Sequence, residues 1–252
     1  MELETTLEIT KVDEYKALIL KRDHLKKETI QLEEEYYRKF GEYIKTNFEL
    51  KIACIRLKKM INYCQMCLNR NEEIVQSNLD SYISSVMEAY YEELDDLIKC
   101  IQSSKNATVI SFKDLKEIKK IYRYIAKKIH PDIHPELFKQ ERVKELWNRT
   151  KLAYECNDLD QLQEIQVLVD SLGMSTTDSI HIENLEERID KIKREIDTIL
   201  NSESYQYKFL FDDITMIENK IVSFKQEQSD YQNYKEQLET IFNTFKIRRY
   251  YA

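Results

Sequence analysis

The sequence predicts an all-α protein in which a helical hairpin module is flanked by long coiled-coil helices. Three observations carry that prediction. Only two glycines (Gly41 and Gly173) and two prolines (Pro131 and Pro135) occur in 252 residues, so few places can turn by glycine or proline chemistry, which argues against an all-β or doubly wound fold. Charged residues make up 34% of the chain, the proportion expected of long solvated helices. Apolar residues recur every three or four positions, the spacing of an amphipathic helix with one buried stripe.

Residues 1–104 read as an N-terminal helical coiled coil, helical from about residue 10 to 101. Leu18, Leu25 and Leu32 repeat every seven residues. Tyr43, Asn47, Leu50, Cys54, Leu57, Ile61, Cys64 and Leu68 then alternate spacings of four and three, a heptad seam that must meet a partner helix. The polar run "NRNEE" (69–73) marks the break, and "LDSYISSVMEAYYEELDDLIKCI" resumes an amphipathic pattern. An antiparallel hairpin within one chain fits this pattern, and so does a homodimer.

Residues 105–173 form a second region, opening after the loop-like "SSKNATVI". Ser111 with Asp114 resembles a capping box. The helix that follows carries Leu115, Ile118, Tyr122, Ile125 and Ile129 on one face, and must stop near Ile129 because the residue before a proline is pushed out of the helical region. Pro135 suits the first turn of a new helix, expected to run to about Cys156 with Leu137, Leu146, Trp147, Ala153 and Tyr154 packing inward. Asp158 and Gln161 give a second capping signal, and Gly173 a left-handed C-cap. Residues 174–252 read as a C-terminal coiled-coil hairpin: Ile182, Leu185, Ile189, Ile192, Ile196 and Ile199, a turn at "NSES" (201–204), then Leu210, Ile214, Ile217, Ile221, Phe224, Tyr231 and Leu238.

Charge and composition exclude several functions. A formal net charge of −7 argues against a general nucleic-acid or anionic-membrane binder. No uninterrupted apolar run exceeds four residues, so none spans a bilayer, and the acidic "MELETTLEIT" is unlike a signal peptide. Five cysteines without a disulfide framework point to a reducing cytoplasm. No phosphate-cradling glycine loop or nucleophile–base signature is visible, so an enzyme is not expected, and neither is a cofactor. Cys64 and Cys67 have metal or redox spacing, but Cys64 lies in the seam and reads as a core thiol. His130, Asp132 and His134 contain potential metal donors, but the prolines interrupt the helical spacing that would align them, so no metal is expected. "KIRRYYA" at the end reads as a solvated helix end.

The two prolines set a rigid link between two helices, expected to expose His130, Asp132 and His134 at its tip. The helix entering that tip holds seven basic residues (Lys113, Lys116, Lys119, Lys120, Arg123, Lys127, Lys128) against two acidic ones between 112 and 129, a local +5 that leaves −12 for the remainder. Lys116, Lys120, Arg123 and Lys127 share one stripe opposite the apolar face. Such a stripe is either a solvated helix face or a docking surface for an acidic protein groove.

"IKKIYRYIAKKIHPD" resembles the second helix and HPD loop of a J-domain, the module of DnaJ-like co-chaperones. "LWNRTKLAYECNDLDQLQEI" resembles the third helix and exit of shortened bacterial variants flanked by coiled coil; "YYRKFGEYI" and "IACIRLKKMI" fit the same group. Ile129 stands where the family commonly has an aromatic residue, Ile133 where it often has a basic one, and the glycine/phenylalanine-rich linker and cysteine-rich zinc motif are absent. The resemblance implies a J-domain-like fold and a non-catalytic activator. Lys116, Lys119, Lys120, Arg123, Lys127 and Lys128 would dock on a DnaK-type heat-shock chaperone, and His130, Pro131 and Asp132 would promote its ATP hydrolysis. Asp132 would accept a charge-assisted hydrogen bond from a partner arginine. The coiled coils would recruit a client or set a dimer. The alternative is a coiled-coil scaffold in which HPD is only a helix–helix turn.

Overall fold

The structure, a computed structural model, describes residues 2–106, 111–172 and 184–247. Among them are eight α-helices and no strand: α1 (Glu2–Asn69), α2 (Gln76–Asn106), α3 (Phe112–Ile129), α4 (Glu141–Glu155), α5 (Leu159–Asp170), α6 (Leu185–Leu200), α7 (Glu203–Asp212) and α8 (Ile214–Phe242). The expected Gly173 cap, Ile182 and the last residues of the basic–aromatic tail lie outside the described residues. No described helix is long and apolar enough to cross a membrane. The helices form two compact units, Met1–Gln31 with Thr108–Gln206 and Leu32–Ala107 with Tyr207–Ala252, so α1 contributes to both.

In the first unit α3, α4 and α5 share one core. Ser111 caps α3 as its sequence predicts: its Oγ accepts the Asp114 N–H at 3.1 Å and donates to the Asp114 carboxylate at 2.7 Å. Asp158 does the same for α5, accepting the Gln161 N–H at 2.9 Å. The apolar face of α3 is fully committed. Ile118, Ile125 and Ile129 have no exposed surface, and burying each contributes about 2 kcal/mol. Tyr122 stacks on Tyr154 at 3.8 Å between centroids while His130, just past the end of α3, meets Trp147 at 4.6 Å, so α4 runs back antiparallel to α3. Ile129 fills this core.

The second proline does not start a long helix. His134 N–H bonds the His130 carbonyl at 2.8 Å and Phe138 N–H the His134 carbonyl at 3.1 Å, carrying the chain into a short 3-10 turn over Leu137–Lys139. Gln140 then becomes extended (φ −78°, ψ 127°), and α4 begins only at Glu141. Phe138, within this turn, packs partly buried against the core.

The rest of this unit pairs α1 with α6. Lys193 meets Glu14 at 2.8 Å and Arg22 meets Glu195 at 3.3 Å, so residue numbers rise together along the two helices, which are parallel. Tyr15, Ile19 and Leu25 pack with Ile189, Ile192 and Ile196.

In the second unit α2 runs back antiparallel along α1 after a break at the predicted polar run, where Asn71 takes φ 54°. Gly41 permits the closest approach: a Cβ there would meet Ile101 Cγ2 at 2.8 Å. Arg38 Nε donates to the Ser104 carbonyl at 3.3 Å. The predicted seam of α1 divides: Tyr43, Asn47, Cys54, Leu57 and Ile61 meet α8, Cys64 packs with α2, and Leu68 is exposed. Asn47 Nδ2 donates to the Phe224 carbonyl at 3.0 Å, and Cys54 Sγ to the Tyr231 carbonyl at 3.4 Å. Both contacts join residues 177 positions apart, the mark of a parallel pair in constant register.

The two-helix hairpin expected for 174–252 is therefore replaced by three helices, of which α6 and α8 each take α1 as partner. The turn at 201–202 falls as predicted. The second interruption is set by Asp213, whose extended backbone (φ −125°, ψ 111°) ends α7, while its Oδ1 accepts the Thr215 N–H at 2.8 Å and starts α8.

Candidate functional site

The site of interest is where α3 ends. Its residues were expected at an exposed tip; the structure corrects this for His130, whose side chain is only 3% exposed. Pro131 and Ile133 share the tight turn, and Ile133 is fully buried between α1 and α6. That apolar plug explains the correction, because it draws the corner against α1 and carries His130 inward.

Both imidazole nitrogens of His130 have assigned work. Nδ1 accepts the Asp132 N–H at 3.0 Å, which leaves Nε2–H to donate to Asp23 Oδ2 at 3.3 Å. The ring lies edge-on to Trp147, 4.6 Å between centroids. Asp23 Oδ2 also accepts from Tyr122 OH at 2.7 Å. Burial alone would raise the Asp23 pKa, but the His130 hydrogen bond, the Arg22 charge and the Tyr122 hydroxyl outweigh it and hold the carboxyl below its usual range. Burial, the charge of Asp23 and its bond with Tyr122 push the Tyr122 hydroxyl far above the ordinary tyrosine value.

Arg22 closes the network. Its Nε and one terminal nitrogen donate to Asp23 Oδ1 at 3.0 and 2.9 Å; the guanidinium reaches Asp132 Oδ2 at 3.2 Å and Glu195 Oε2 at 3.3 Å. Burial works against its charge, but Asp23, Asp132 and Glu195 hold its pKa above the ordinary arginine value. The Asp132 side chain nonetheless stays 38% exposed. His134 is half-buried, with Nε2 against the Lys127 carbonyl at 2.8 Å, and burial lowers its pKa. His130 and His134 thus spend their nitrogens separately, and among the described residues no group of three His, Cys, Asp or Glu is placed to hold a metal ion. Cys64 and Cys67 are both buried, and burial pushes the Cys64 thiol up.

The basic helix behaves differently. Lys116, Lys119, Lys120, Arg123 and Lys127, with Tyr124, line an open groove of about 390 Å³ on the outer side of α3. Lys116, Lys120, Arg123 and Lys127 are exposed, as their stripe predicts. Lys120 pairs with Glu117 at 3.2 Å, and among the described residues neither Arg123 nor Lys127 has an ion-pair partner. Lys119 is half-buried, donating to His24 Nε2 at 3.2 Å. Lys128, outside the stripe but also expected to dock, is committed elsewhere: it pairs with Asp170 of α5 at 2.6 Å and lies over the Tyr124 ring.

One further cation stands at the edge of this face. Lys27 of α1 is buried, donates to the Tyr154 carbonyl at 2.6 Å and lies 3.9 Å above the Tyr154 ring. Burial and the neighbouring Lys119 charge lower its pKa to about 8.

Sequence reasoning missed Arg22 and Asp23. A signal for Arg22 was there: it stands four residues after Leu18 and three before Leu25, a seam position that an apolar residue would normally fill. Nothing in local pattern marks Asp23, whose partners other than Arg22, namely Tyr122 and His130, lie about a hundred residues away. No protein-family model, no curated protein and no solved structure matches the chain.

Proposed function

We propose that the chain is a cytoplasmic J-type co-chaperone that binds a DnaK-type heat-shock chaperone through the α3 groove and stimulates its ATP hydrolysis. It does no bond chemistry of its own. The observation that carries this reading is the open cationic groove, set on a chain of net charge −7 and lying on the helix that leads into the HPD turn. Exposed lysines and an arginine on one face attract an acidic partner and raise its encounter rate. Asp132, just beyond the end of α3 and still 38% exposed, supplies the acceptor for a partner arginine. The long paired helices, as coiled coils flanking a J-domain-like hairpin, would recruit the client.

A second reading rests on a different observation. The burial of His130 and its bond to Asp23 suit an HPD turn that serves only as a corner of a helical scaffold. The two readings separate in a single-turnover assay of ATP hydrolysis by a DnaK-type chaperone, with the native chain, His130→Gln, Asp132→Asn and Arg123→Glu/Lys127→Glu. The co-chaperone reading expects stimulation by the native chain and loss with Asp132→Asn and the charge reversal. Equal rates with all four, or no stimulation at all, would leave the scaffold.

A further inference from the structure

We propose that Arg22 is an exchangeable internal cap on Asp132, so that the chain competes with its own partner for the HPD corner. The inference rests on the co-chaperone reading and adds its regulation. Arg22 holds three carboxylates, and they are not equivalent. Asp23 is gripped through two nitrogens at 2.9 and 3.0 Å and its side chain is 14% exposed. Asp132 is touched through one nitrogen at 3.2 Å and is 38% exposed. Glu195 is reached by the other terminal nitrogen at 3.3 Å.

If Asp132 turns to a cation of an incoming protein, Arg22 keeps Asp23 and Glu195. No buried charge is then stranded, which is the expensive outcome in breaking a partly buried pair. His130 has no such freedom. Exposing it would strip Asp23 of its imidazole donor, part the ring from Trp147 and withdraw Ile133 from between α1 and α6. The corner thus presents one exchangeable group, Asp132. His130 is a positioning residue: its Nδ1 accepts the Asp132 N–H and sets where that carboxylate stands. The open groove on α3 gives an acidic partner a place to be held while the exchange occurs.

The test compares the full-length native chain with Arg22→Gln, Arg22→Lys and Asp132→Asn. One measurement is the chain concentration giving half-maximal stimulation of ATP hydrolysis by a purified DnaK-type chaperone. The other is amide hydrogen exchange across 130–134 without any partner. Removing the cap is expected to lower the half-maximal concentration by roughly fivefold, because a larger fraction of chains has a free Asp132. Arg22→Lys, which keeps the charge and loses the fork, is expected to fall between, and it reads the same exchange should Arg22→Gln fold poorly. Amide exchange in the turn is expected to quicken in both. Equal half-maximal concentrations and unchanged exchange, with Asp132→Asn still inactive, would overturn the cap and leave the co-chaperone reading standing. An absence of stimulation by every variant would overturn both.

Discussion

Two lengths of α1 solve the same problem differently. In each unit it runs parallel to a C-terminal helix, and in each the apolar stripe is interrupted by one polar residue. In the second unit that residue is Asn47, which stays inside the pair, donating to the Phe224 carbonyl and to Glu227 of α8. In the first unit it is Arg22, which reaches beyond α6 to Asp132 in a third element. A short amide can fix the register of two helices. A long forked cation can fix a register and tether a loop as well.

The difference can be broken at several points, with effects that should fall in a definite order. The largest belongs to Asp23→Ala, which leaves the Tyr122 hydroxyl and the His130 Nε2–H buried without their acceptor and removes the tightest partner of Arg22. A loss of about 3–5 kcal/mol in urea unfolding is expected. Ile133→Ala, which opens a cavity between α1 and α6, should cost about 2–4 kcal/mol. Its loss should come with faster amide exchange at the corner, whereas an equal cut at Leu238 of the second unit should leave the corner unmoved.

Lys27→Met comes next and has the opposite sign. With its folded pKa at about 8, below the unfolded lysine value, the folded state holds fewer protons than the unfolded between those two pH values. The native chain should therefore gain stability as pH rises from 8 towards 10. Above that, the raised pKa values of Tyr122 and Tyr154 act the other way. Lys27→Met should stabilise the protein by at most about 3 kcal/mol at pH 7 and flatten the rise between pH 8 and 10. An unchanged slope would show that Lys27 is charged and comfortable where it lies.

The smallest effect is expected at Asn47→Leu. Its Oδ1 is buried without a hydrogen-bond partner, so an apolar replacement should be neutral or stabilising by about 1 kcal/mol. Looser register between α1 and α8 should follow, seen as faster exchange along α8. Arg22→Leu, by contrast, should destabilise, since it strands Asp23.

Much of this was legible from local pattern. The α3 face, the Ser111 and Asp158 caps, the break at 69–73 and the exposed cationic stripe all follow from spacing within one helix or one turn. What escaped depends on contacts distant in the chain. Lys128 reads as one more docking cation until Asp170, 42 positions on, claims it. The exposure expected for His130 fails because Ile133 is pulled into a seam that α1 and α6 make together. The Asp213 break was missed because the apolar spacing continues on both sides of it, so only the cap announces the interruption.

The position of Trp147 has a practical consequence. It is the chain's single indole, among 17 tyrosines, and its nearest aromatic neighbour is the His130 ring. Selective excitation of that one fluorophore gives an optical signal from the corner with no label attached. Any event that parts the two rings, whether binding, acid or a distant substitution, should register there first.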